Sequence, residues 1–165
     1  MAVTGASTGV IPRPAQRKVG GLVRNFPEGS SQTFAIGAII SRGAGAFAVL
    51  GSSAELQSTG ILGFAISKGS NRTTNGLNST PIFVPEKGLA FRIAFQATWT
   101  GSAHRGLTAA LYMDASQNVW VSSGGASTCG TIIDAAQWDT GVAVADGDVN
   151  PVVYFVLADT AVQYA

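Results

Sequence analysis

The sequence predicts an all-β fold, a sandwich or small barrel of short antiparallel strands, with an extended N-terminal arm. Three observations predict it. Strand-sized apolar runs recur at roughly 8–12-residue spacing, with Gly, Ser, Asn and Asp between them. Charged residues make up only 12% of the chain, about half the share usual in globular proteins, and Glu and Lys, which favour long solvated helices, are few. Apolar residues make up 46%, which excludes wholesale disorder, and 165 residues suit one domain with a core of its own.

Residues 1–20, MAVTGASTGVIPRPAQRKVG, are small, polar and basic. Pro12 and Pro14 bias the residues before them toward extended backbone, so this stretch reads as an arm that orders only on docking. Residues 21–165 read as a single β domain. Thr33 to Ile40 reads as a strand, and Ala46 to Leu50 as its partner across a Gly43/Gly45 turn. Gly60 to Ile66 reads as a buried strand in which Gly63 marks a bulge or a close backbone approach. Ser67 to Thr80 lacks periodicity and is rich in turn formers, so it reads as an exposed loop.

Pro81 to Val84 is short and extended. Ala90 to Trp99 carries the cleanest alternation, with Phe91, Ile93, Phe95 and Ala97 on one face. Leu107 to Met113 fits a strand or a short helix. Val119 to Val121 reads as a strand after a Ser116–Asn118 turn, and Thr131 to Ile133 as another. Asp134 to Trp138 fits a single helical turn. Asp146-Gly147 makes a turn before a last strand, Pro151 to Leu157, rich in β-branched and aromatic residues.

The totals exclude several classes. No apolar run approaches the roughly 18–20 residues of a bilayer-spanning helix, and no secretory signal is expected at the N-terminus. One Cys, Cys129, forbids an internal disulfide, and one His, His104, excludes a His-rich zinc site. Charge is segregated. Up to Arg92 the chain has nine basic and three acidic residues; beyond it, Arg105 stands alone against six Asp. Such a division suits an oriented partner surface or contacts between copies, unless the fold mixes the halves.

The chemical motifs fall short of their mechanisms. Val3 to Gly9 resembles a dinucleotide phosphate turn, but Pro12 interrupts any following helix and the third Gly is missing. Asp146, Asp148 and Asn150 open like a calcium loop, yet Pro151 and Leu157 stand where an EF-hand needs Gly and Glu, leaving a different cation site open. His104, Cys129 and an Asp could form a nucleophilic triad, and Asp134 with Asp139 a carboxylate pair, but no local signature supports either. The arm carries Arg13, Arg17 and Lys18, with Arg24 just beyond. It has no aromatic residue to stack on bases, so docking on a protein surface fits better than nucleic acid.

From Gly29 to Leu157 the order of elements resembles capsid decoration (cement) proteins and related small virion proteins of tailed bacteriophages. The resemblance runs through Thr33-Phe34-x-x-Gly37-Ala38, Gly60 to Ala65, Thr80 to Pro85 and the alternating strand at Phe91. It continues through Gly106-Leu107-x-x-x-Leu111-Tyr112, Asn118 to Val121, and Asp148-x-Asn150 to Phe155. It lies in strand–turn order, without a strict signature. It implies a structural virion protein that is no enzyme and takes no cofactor, metal or small-molecule substrate. Its expected partner is the major capsid protein on the outer capsid surface, with no nucleic acid and no membrane, and its copies are expected to form a trimer or dimer. The expected capsid contacts are Arg13, Arg17, Lys18 and Arg24. A competing reading is a virion-surface adhesion module, with the Ser67–Thr80 loop and Trp99, Trp120 and Trp138 touching glycans.

Overall fold

The computed structural model describes residues 13–14, 23–51, 55–57, 60–86, 88–123, 128–137 and 140–162. In chain order the strands are β1 (Arg13–Pro14), β2 (Val23–Pro27), β3 (Ile39–Arg42), β4 (Ala48–Leu50), β5 (Glu55–Gln57) and β6 (Ile61–Ala65). They continue with β7 (Ser79–Phe83), β8 (Ala90–Phe95), β9 (Thr108–Met113), β10 (Val119–Ser122), β11 (Gly130–Ala135) and β12 (Val152–Leu157). A four-residue helix, α1 (Gly101–His104), follows β8. The all-β expectation holds.

Five of the strands close into a small barrel in the order β8-β10-β9-β11-β12, because β12 pairs with β8 as well as with β11. β8 and β10 run parallel, with Trp120 opposite Ala94; the other pairs in the ring are antiparallel. β1 and β5 extend this sheet, β1 beside the first half of β8 and β5 beside the second half of β9. Period-two patterning explains the filling. Phe91 faces Phe155, Ile93 faces Val153 and Val121 faces Leu111, and all six side chains are buried.

The second sheet is antiparallel, in the order β2-β7-β6-β3-β4. It curls until its ends meet: Glu28, just past β2, bridges Ala48 of β4, and the Gly29 amide donates to the Ala48 carbonyl at 2.9 Å. Every residue of β6 is buried. A Cβ at Gly63 would stand 2.2 Å from the Phe83 carbonyl oxygen, and the β3–β6 register shifts at the same place, so Gly63 marks both a close approach and a bulge. The two sheets share one core. Phe91 meets Phe64 edge-on at a centroid distance of 5.2 Å and Phe83 at 5.5 Å.

Several local readings need correction. Thr33 and Phe34 form no regular strand, and Ala35 to Ala38 is a tight turn: Gly37 has φ 86° and its amide donates to the Ala65 carbonyl, and the Ala38 amide donates back to the Ala35 carbonyl, so the strand begins only at Ile39. Asp134 and Ala135 belong to β11, not to a helical turn, and Trp138 lies outside the described residues. The exposed loop ends at Asn78, since Ser79 and Thr80 open β7. That loop is firmly tied. The buried Glu28 carboxylate accepts from the Ser70 amide and hydroxyl at 2.8 and 2.7 Å, from Thr80 Oγ1 at 3.2 Å and from Asn78 Nδ2 at 3.5 Å. The Ser30 amide adds a bond to Asn75 Oδ1 at 2.6 Å.

Candidate functional site

The chemistry the fold assembles lies on the outer wall of the barrel. Across the ladder, Arg92 of β8 stands opposite Tyr154 of β12, and Tyr154 opposite Asp134 of β11. A bulge between Ile132 and Asp134 makes this possible. Ile132 pairs with the buried Phe155, and Ile133 is the extra residue, half exposed. Without that extra residue the period of two would set Asp134 opposite the buried Val153, on the core side. The bulge therefore turns the carboxylate outward, beside Tyr154.

Arg105 reaches Asp134 from the end of α1. The Asp146 carboxylate accepts the Gly101 amide at 2.8 Å at the helix start, and the Thr100 amide donates to His104 Nδ1 at 3.0 Å. The Gly106 amide then donates to the Ile132 carbonyl at 2.8 Å, which fixes the chain beside β11. Arg105 Nε donates to Asp134 Oδ1 at 2.7 Å, and the same oxygen accepts the Ala135 amide at 2.7 Å. The Arg105 bond is the main cause that holds the Asp134 carboxyl below its ordinary range, against partial burial. Both side chains remain well exposed, at 59% and 46%.

Around this pair lies a cleft of about 420 Å³, lined also by Ala136, Gln137, Val144 and Tyr154. Gln137 bridges Ala143 across its far wall, and an Arg92 Nη donates to the Gln137 carbonyl. The arrangement offers an aromatic ring, an amide, a guanidinium and a carboxylate on a small apolar floor. Donors and acceptors stand side by side there.

The residues singled out from sequence are scattered. Arg13 is in β1, opposite Arg92 in the ladder, so part of the arm pairs with the barrel sheet. Arg24 lies in β2 on the other sheet, exposed and opposite Ile82. Arg17 and Lys18 lie outside the described residues, as does Asp139, the expected mate of Asp134. Trp99 is buried, with its ring against His104 at 5.5 Å, so it offers no surface to a glycan. Trp120 is half buried and its indole N–H points to Asp114 Oδ2 at 3.4 Å; Trp138 lies outside the described residues.

Among the described residues, His104 and Cys129 do not form the nucleophile–base pair that a triad needs. Cys129 is buried and its Sγ accepts the Leu111 amide at 3.2 Å, while His104 is held by Thr100 and meets Phe95 edge-on at a centroid distance of 4.8 Å. Burial pushes the Cys129 thiol up to about 12. Asp146 is taken up by Gly101, and Asp148 Oδ2 accepts the Ala145 amide at 2.9 Å within its own turn. Among the described residues no three His, Cys, Asp or Glu cluster as a metal would require. The sequence held one signal for the cleft: Arg105 is the lone base of an acidic half. Comparison with protein-family models, curated proteins and solved structures found no match to this chain.

Proposed function

We propose that the protein is a structural virion component that binds the outer capsid surface and cements neighbouring major capsid protein subunits. The observation that carries this reading is the ordered run of strand and turn segments from Gly29 to Leu157, with its resemblance to phage decoration proteins. A basic segment with extended backbone at Arg13–Pro14 supports it, as does the exposed Arg24 at the start of the domain. Many weak contacts on a lattice reinforce one another through local concentration.

The test is addition of the full chain to undecorated capsid shells from its own source. Co-sedimentation at saturating stoichiometry and a raised shell melting temperature are expected. The quadruple change Arg13→Gln, Arg17→Gln, Lys18→Gln and Arg24→Gln should weaken occupancy and make the remaining binding less sensitive to salt, because fewer ionic contacts are left to screen. Protein that stays in the supernatant at every concentration would sink the reading.

A further inference from the structure

The cleft on the outer barrel wall holds chemistry that capsid attachment does not use. The geometry points to a binding site for a neutral polyhydroxyl ligand, a sugar ring, held between the Arg105–Asp134 pair and Tyr154. This assignment is independent of the capsid reading.

The chemistry selects the ligand class. Asp134 engages both the Arg105 Nε and the Ala135 amide through Oδ1, and no donor among the described residues reaches Oδ2. Arg105 uses Nε alone for its hydrogen bond, and its Nη1 lies over the Gly101 backbone. A free acceptor and free donors therefore stand side by side. An anion would meet the guanidinium but also the carboxylate beside it, and a cation the reverse. A hydroxyl both donates and accepts, so two neighbouring hydroxyls satisfy the pair together.

The remaining walls fit the same ligand. The Tyr154 ring is half buried in the lining, and Ala136, Ala143 and Val144 supply a small apolar surface for the C–H face of a ring. Gln137 adds an amide with both hydrogen-bonding roles. A volume of about 420 Å³ lies within the roughly 300–1,000 Å³ of ligand clefts. Asp134, Ala135 and Tyr154 stand on the β11–β12 ladder, the Gly106–Ile132 bond holds the chain beside Arg105 against β11, and an isolated bridge ties Gln137 to Ala143, so these walls are positioned before a ligand arrives.

The experiment is a titration of the isotope-labelled full chain, followed by amide NMR signals. The probes are glucose, galactose, mannose and N-acetylglucosamine, with acetate and phosphate as anions. At least one sugar should move the Asp134, Ala135, Gln137 and Tyr154 signals saturably, and neither anion should. Asp134→Asn should weaken that sugar about ten-fold, the scale of one hydrogen bond to a charged group. Tyr154→Ala should weaken it similarly, with unmoved signals elsewhere showing that the fold is retained. The proposal fails if no sugar moves those signals at tens of millimolar. It also fails if an anion moves them and Asp134→Asn tightens that anion, because the cleft is then an anion site.

Discussion

The Glu28 carboxylate accepts the Ser70 hydroxyl at 2.7 Å across 42 positions of sequence, beneath a loop whose residues from Asn71 to Asn78 are all exposed. Glu28 is itself only 1% exposed. A buried carboxylate is tolerated only where donors surround it, and here hydroxyls and amides take the place of a cation.

Glu28→Ala should therefore destabilise the fold by about 2–3 kcal/mol, the scale of leaving buried donors without their acceptor. It should also free the loop. Urea melts give the first quantity, and trypsin cleavage after the exposed Arg72 gives the second. Unchanged cleavage beside a lowered midpoint would mean that Glu28 braces the sheet and not the loop.

Gly63→Ala should cost about 1–3 kcal/mol or more, since the new methyl meets the rigid Phe83 carbonyl and not a movable side chain. Phe91→Ala, which removes the ring between the two sheets, should cost about 3–5 kcal/mol. Denaturant midpoints check both. A Gly63→Ala protein as stable as the parent would show that β6 and β7 are further apart than described.

The thiol of Cys129 should resist reagents in the folded protein. Burial raises it from the ordinary 9.0 to about 12, so the reactive thiolate is scarce at neutral pH. A raised folded value leaves stability constant below 9.0 and erodes it as pH rises from there toward about 12. Ellman's reagent should label the protein only after denaturation. Rapid labelling of native protein would contradict the burial.

Asp114 should show the opposite pH dependence. Burial favours its neutral form, but bonds from the Asn118 side chain and amide and from the Trp120 indole outweigh this and lower it below the ordinary 3.8. A lowered folded value contributes stability that is complete above 3.8 and is lost as pH falls through that lower value. Tryptophan fluorescence should thus change below the ordinary carboxylate range, and Asp114→Ala should abolish the step and cost about 1 kcal/mol. A midpoint at or above 3.8 would count against the turn.

How much of this was legible in the sequence differs by element. Phe91, Ile93 and Phe95 announced β8 because one face fills the barrel, and Gly63 announced its own close approach. Thr33 to Ala38 reads as a strand because an apolar run looks alike in a strand and in a turn, and Phe34 is buried either way. Val23–Pro27 carries no strand signal because an edge strand with an exposed first half has no alternation to show. The parallel pairing of β8 with β10 and the closure by β12 depend on contacts distant in sequence, which local patterns do not encode. The cleft was hidden for the same reason. Arg105 and Asp134 are 29 positions apart, and only the extra residue Ile133 sets the carboxylate on the outer side.

Ring closure by β12 has a consequence for biosynthesis. A ribosome must release Val152–Leu157 before β8 and β11 gain their shared neighbour. Until then both are raw templates for other nascent chains, so crowded polysomes are the most hazardous moment in the molecule's life. Premature termination upstream of Val152 should yield inclusion bodies instead of a shortened but serviceable product.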